Sequence, residues 1–267
     1  VKNYMIFLIG MVIAVWPAVA QDSENAETVN IVKLQKQLVD VPTAAVLGKG
    51  QYEVGLRAFA NGGLLTNINV GITDRFMIGI SYGGEKFIGT GKINFNPMPG
   101  VDVRYRFIDE SVAMPAIVAG FCSQGYGHFY KRLPVDTSVK RVDRYAQKSL
   151  GLFAVASKNY SFLGTIGFHG GINWAVTEKK DKDDEPSLFI GVDKSINPEL
   201  SVVSEYGIAF NDNKKIVGRQ RGYLNAGAKL NFNNKVMVEF LLKDILNNSS
   251  DFGKYSRELR LSFINTF

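Results

Sequence analysis

From Gln51 onward, apolar side chains recur at every second position in one short segment after another. A period of two puts them on one face of an extended strand, and no stretch of helical period intervenes. The pattern points to an all-β chain and argues against the βαβ units of nucleotide-binding enzymes. Twelve segments carry it. The first four hold Tyr52, Val54, Leu56 and Ala58; Ile68, Val70 and Ile72; Phe76, Ile78, Ile80 and Tyr82; and Val101, Val103, Tyr105 and Phe107, with an extension through Ile93 and Phe95. The fifth holds Ile117, Ala119 and Phe121, and the sixth lies within 149–157 with either facing open. The seventh to ninth hold Phe162, Ile166, Phe168 and Ile172; Leu188, Ile190 and Val192; and Val202, Tyr206, Ile208 and Phe210. The last three hold Leu224, Ala226, Ala228 and Leu230; Val236, Val238, Phe240 and Leu242; and Leu259, Leu261, Phe263 and Phe267. The 217 residues from Gln51 allow about 18 per strand and connection, and a membrane-crossing strand needs about 9–11.

The connections alternate in length. They are tight at Thr73-Asp74-Arg75, 157–161, Asn197-Pro198-Glu199 and Asn233-Asn234, and moderate at 108–115. They are long at 84–100, 123–148, 174–187, 211–221 and 244–257; only Asn61-Gly62-Gly63 breaks the rule. Short turns at one end and long loops at the other are the arrangement of a transmembrane β-barrel. A soluble sandwich gives no reason for it.

The two faces differ in chemistry. The apolar set contains no Lys, Arg, Asp or Glu, as a lipid-facing surface requires, since a charge there costs about 2–4 kcal/mol at the midplane. The alternate face carries Glu53, Asp102, Asp193, Glu205, Glu239 and Glu258 against Arg57, Arg104, Arg106, Lys229, Lys243 and Arg260. Six negatives and six positives do not suit a dry sandwich core; they suit a hydrated or salt-bridged lumen. Frequent inward glycines leave space there. A mean hydropathy of −0.01 is consistent with such a barrel, because only alternate residues meet lipid. Aromatic residues near strand ends suit interfacial girdles, although β-propensity accounts for part of that pattern.

The first 50 residues are of another kind. Lys2, the uncharged run Met5–Val15 and Ala18-Val19-Ala20 predict a cleavable signal peptide over 1–20. Residues 21–50 are expected as a periplasmic N-terminal segment and 51–267 as the barrel. Ile31, Leu34, Leu38 and Val41, spaced 3, 4 and 3, predict a short amphipathic helix closed by Pro42. It is expected as an ordering linker; the alternative places it at the periplasmic mouth or within the lumen.

The sequence ends in Leu259, Leu261, Phe263 and Phe267 on one face. This resembles the terminal signal by which the insertion machinery recognises outer-membrane barrels, with Asn265 departing from the alternation. The strings PTAAVLGKG (42–50), GGLLTNINVGITDRFMIGISYGG (62–84), NPMPGVDVRYRFIDES (96–111), SQGYG (123–127), DKSINPELS (193–201) and RGYLNAG (221–227) resemble a poorly characterised group of bacterial outer-membrane barrels. That group is distantly similar to barrels associated with exopolysaccharide production. The resemblance implies the outer membrane of a Gram-negative-type bacterium and a polysaccharide-export system as a partner. It carries no catalytic motif.

A twelve-strand lipid hydrolase is the enzyme alternative. It needs a serine nucleophile, a histidine base and an orienting residue. His128 and His169 stand in Gly127-His128-Phe129 and Phe168-His169-Gly170, neither in the His-x-Ser-Asn-Gly context of outer-membrane phospholipases. No enzyme, cofactor or metal is expected. Lys179 to Glu185 reads as a solvated loop tip rather than a cation site at Asp181, Asp183 and Asp184. Lys131, Arg132, Lys140, Arg141, Arg144 and Lys148 make a basic long loop, suited to lipopolysaccharide and to a positive mouth. Nucleic acid is not an expected partner after export. Two functions stay open: a narrow channel for small or anionic solutes or an accessory to polysaccharide export, and a structural envelope barrel with a salt-bridged lumen and partner-binding loops.

Overall fold

The computed structural model describes residues 35–134, 141–178, 181, 183–212, 218–249 and 255–267. The expected signal peptide lies outside them. The strands are β1 (Gln51–Phe59), β2 (Gly63–Thr73), β3 (Phe76–Glu85), β4 (Asn94–Phe95), β5 (Gly100–Ile108), β6 (Ala116–Cys122), β7 (Tyr126–Pro134) and β8 (Arg141–Gln147). They continue as β9 (Gly151–Ser161), β10 (Thr165–Trp174), β11 (Ser187–Ser195), β12 (Leu200–Gly207), β13 (Tyr223–Phe232), β14 (Val236–Lys243) and β15 (Ser256–Thr266).

Twelve of these form one closed antiparallel barrel. Each pairs with its neighbour in chain order, and β15 returns to β1 with Leu56 opposite Leu261. Closure leaves no sheet edge, so the barrel wall satisfies its own backbone groups. The three others are accessory. The two-residue β4 adds to the end of β3, and β7–β8 is a separate hairpin in the longest loop. The extension expected through Ile93 and Phe95 is therefore its own short strand. Phe162 falls in the turn after β9, and Phe210 opens a single 3-10 turn beyond β12 rather than continuing a strand.

Local chemistry places the turns. Asn233 and Asn234 take φ of 48° and 57°, a left-handed region that asparagine tolerates because its side chain bonds locally. Gly151 sits at φ 65° where β9 bulges, with Gly151 and Leu152 both opposite Trp174. A Cβ there would lie 2.0 Å from the Trp174 carbonyl oxygen. Gly151→Val is expected to destabilise the barrel by about 1–3 kcal/mol. Urea unfolding, followed by the loss of heat-modifiable gel mobility, measures it.

The alternation sorts the faces. Ile68, Ile80, Phe168, Ile190 and Phe240 point outward and are exposed. The sixth expected segment resolves in the same way: Leu152 faces out, while Phe153 and Val155 are buried inside. A continuous apolar belt of this kind is stable against hydrocarbon rather than water. With the polar interior, short turns and long loops, it makes the chain a transmembrane β-barrel. Tyr52, Phe263 and Phe267 cluster at the short-turn end, and Tyr82, Phe87 and Phe95 at the other. That suits the aromatic girdles of the two interfaces.

Candidate functional site

The barrel is filled from within by its own N-terminal segment. Residues 35–47 enter at the short-turn end and fold back as a tight hairpin rather than the expected helix. Leu38 N–H donates to the Val41 carbonyl at 2.9 Å, and Thr43 N–H to the Lys36 carbonyl at 3.0 Å. Ile31 and Leu34, the first half of the helical pattern, lie outside the described residues. A helix of that length is marginal alone. In the lumen its backbone finds better partners. Glu205 accepts hydrogen bonds from the N–H groups of Val39, Asp40 and Val41 at 2.8–3.1 Å. The segment is thus neither a helix nor outside the barrel.

Its side chains meet a wall shaped for them. Val41, Ala44, Val46 and Leu47 pack on an apolar sector that includes Met77, Val118, Phe153, Val155 and Phe189. Leu38 and Val39 pack on Val203 and Leu241. Two inward glycines admit the segment. A Cβ on Gly191 would lie 2.2 Å from Leu38 Cδ1, and one on Gly71 2.0 Å from the Gly48 carbonyl oxygen. The space expected from these glycines is therefore occupied.

The polar side of the hairpin is held by the expected lumen charges. Asp40 lies 2.8 Å from Arg57 and 2.7 Å from Lys243, and both cations stand 4.5 Å from the Tyr126 ring. Glu258 also faces Arg57, at 2.5 Å. Arg260 donates to the carbonyls of Leu38 and Val39, Lys229 to that of Gln37, and Arg104 to that of Lys36. Lys36 pairs with Glu53 at 3.2 Å. Glu239 lies between Lys229 and Arg260 on the wall, and Asp102 pairs with Arg104 at 2.9 Å. Arg106 turns to Asp109 at the rim. Opposite walls do not bond directly in these contacts. Neighbouring strands pair along the wall, and the hairpin supplies the link across. Lys36 and Asp40 belong to this network and escaped the sequence reading. The signal available for them was the run of apolar inward positions at Val118, Phe153 and Val155, which a water-filled lumen would not favour.

His169 lies 2.8 Å from Ser157 Oγ and 2.7 Å from Asp193 Oδ1, a serine–histidine–aspartate set. All three side chains are buried. Ser157 Oγ also accepts the Ala44 N–H at 2.8 Å, so the hairpin covers the oxygen that a nucleophile would present. The set ties the hairpin to the wall. His128 on β7 contacts Glu85, the last residue of β3, at 2.6 Å.

Above the hairpin tip, at the long-loop end, is a cavity of about 60 Å³ lined by Asp40, Tyr126, Asn173, Glu205, Asn211, Tyr223 and Asn225. The loops around it are locked by charge. Arg144 contacts Asp181 at 3.0 Å and Asp212 at 2.6 Å, and Lys148 contacts Asp181 at 2.6 Å. Glu178 accepts the N–H groups of Tyr145 and Ser149. Burial raises the Glu178 carboxyl above its usual range, against those hydrogen bonds. Burial also pushes the Tyr145 phenol up to about 12.

Two expectations change here. Arg144 and Lys148 are buried in ion pairs rather than displayed as an outward basic surface. Asp181 and Asp183 are likewise buried rather than at a solvated tip, because the Asp181 carboxylate neutralises Arg144 and Lys148 and the Asp183 carbonyl accepts a hydrogen bond from Lys148, while Asp184 is exposed as expected. Lys131 and Arg132 are exposed; Lys140 and the Arg141 side chain lie outside what is described. Of the terminal residues, Leu261 and Phe263 face outward, and Phe267 packs on Tyr52 at 4.8 Å between centroids. Leu259 pairs with Ala58 and Phe240 in the barrel wall.

No protein-family model matches the chain. No curated protein matches its sequence. Among solved structures, it is similar to the KdgM porin, at 8% identity over 81% of this chain and 99% of that one, with a TM-score of 0.45. It is also similar to the outer membrane protein Omp33 of Acinetobacter baumannii, at 11% identity over 82% and 100%, with a TM-score of 0.43. The COG4313 outer membrane channel of Pseudomonas putida F1 gives 12% identity over 83% and 97%, with a TM-score of 0.40. These are likenesses of barrel architecture, too distant to carry a role or a ligand across.

Proposed function

We propose that the chain is an outer-membrane channel of a Gram-negative-type bacterium, with a narrow hydrophilic path for small solutes that the 35–47 hairpin closes. The observation that supports this reading is the charged inner wall, in which Arg57, Lys229, Glu239, Lys243, Glu258 and Arg260 line one side of the lumen on β13, β14, β15 and β1. The preference for anions loses most of its basis, because Arg144 and Lys148 are neutralised and the six cations of the whole inner face are matched by six anions. An accessory role in polysaccharide export rests on the sequence resemblance alone. No enzymatic role is assigned. Lipopolysaccharide fits the exposed Lys131 and Arg132, and the insertion machinery fits the Leu259–Phe267 strand.

Reconstitution in planar bilayers tests the channel. Small, infrequent openings with weak ion selectivity are expected from the intact chain. The second reading, a structural envelope barrel, is favoured by the close packing of the hairpin. Silence of the folded barrel, both intact and without residues 35–47, would establish that reading instead.

A further inference from the structure

We propose that residues 35–47 are a withdrawable plug, and that the path opens when this hairpin leaves as a unit through the short-turn, periplasmic mouth. The proposal rests on the channel reading and adds how the channel is controlled. Topology is the first support. Lys49 N–H bonds to Asp74 and Gly50 N–H to the Gly71 carbonyl, beside the β2–β3 turn, which fixes one end of the hairpin at that mouth. The other end returns to the same mouth, where Gln35 bonds to Ser201 next to the β11–β12 turn. A hairpin with both ends on one side can withdraw without threading the chain through the barrel. Exit toward the long loops is opposed, because it would pull Gly50 and β1 from the wall.

Chemistry is the second support. Beside the apolar packing of Leu38, Val39 and Val41, the tip is held by polar groups that water can replace. Asp40 is held by Arg57 and Lys243, and three backbone N–H groups by Glu205. Once the hairpin leaves, these side chains face a hydrated lumen rather than hydrocarbon, so their desolvation is reversed. Gly71 and Gly191 leave the wall without side chains where the segment crosses it. The cavity beyond the tip is then continuous with the vacated path.

The test uses the full chain with Cys122→Ala, Leu38→Cys and Gly191→Cys. A Cβ at 191 lies close enough to the Leu38 side chain for a disulfide. In planar bilayers the oxidised protein should stay closed, and reduction should restore openings. Equal opening in the oxidised and reduced states would overturn withdrawal while leaving the channel intact. Deletion of 35–47 should raise conductance strongly, with folding checked by heat-modifiable mobility. A folded but silent deletion would overturn the channel reading itself. If the deletion does not fold, Asp40→Ala serves in its place. Removing the anion between two cations should raise open probability about tenfold or more. An unchanged open probability would overturn the latch.

Discussion

Replacing Glu239 by alanine is expected to destabilise the folded barrel by about 3–5 kcal/mol. Glu239 is 1% exposed and lies 2.9 Å from Lys229, which is equally buried; Arg260 donates to both of its carboxylate oxygens. Arg260 is further committed to the Leu38 and Val39 carbonyls. Alanine would leave two cations side by side, short of an anion and shut off from water by the hairpin. Urea unfolding read by heat-modifiable mobility gives the number. Glu239→Gln keeps hydrogen-bonding capacity but loses the charge, and should fall between wild type and alanine. Adding Lys229→Met to Glu239→Ala removes one stranded cation, so the pair should be less harmful than the sum by about 0.5–3 kcal/mol. A loss below about 1 kcal/mol for Glu239→Ala would mean that water screens the cluster as it does a surface pair.

Ile68→Arg is the second large effect, expected to cost about 2–4 kcal/mol. Ile68 lies at the middle of β2, is 47% exposed, and stands between the outward Val54 and Ile80. In lipid this is the midplane, where a guanidinium is least tolerated. Ile72 shares the face nearer the short-turn end, and Ile72→Arg should cost only about 0–1 kcal/mol because the side chain reaches the interface. The contrast is the test. Equal, small costs at both positions would describe a barrel in water, and a steep depth dependence one in a bilayer. Unfolding in phosphatidylcholine vesicles, with recovery of the folded gel band, measures both.

The alternation of Ile78, Ile80 and Tyr82, or of Val236, Val238 and Phe240, was sufficient to assign strands and their outward faces. A two-residue period has few other physical solutions, and the charges on the intervening positions could not face lipid. The alternation of short and long connections pointed to the barrel. The strand ends were less legible. Phe162 and Phe210 continue the pattern by type, but turn geometry overrides type there.

The hairpin was legible only as a wrong element. Leu34, Leu38 and Val41 fit a helical spacing, and nothing local forbids one. What decides otherwise is Glu205, 164 residues from Val41, whose carboxylate takes the backbone N–H groups that a helix would have used. The same holds for the charges. Their presence on the inner face is a property of sequence period, but a period does not say which carboxylate lies near which cation. Arg144 and Lys148 read as a displayed basic surface until Asp181 and Asp212 arrive from two other loops to neutralise them. Strand identity and facing are local, set by how successive side chains alternate along one backbone. The closure of the lumen and the pairing of its charges are non-local, because they depend on which segments the closed barrel brings within a few ångströms.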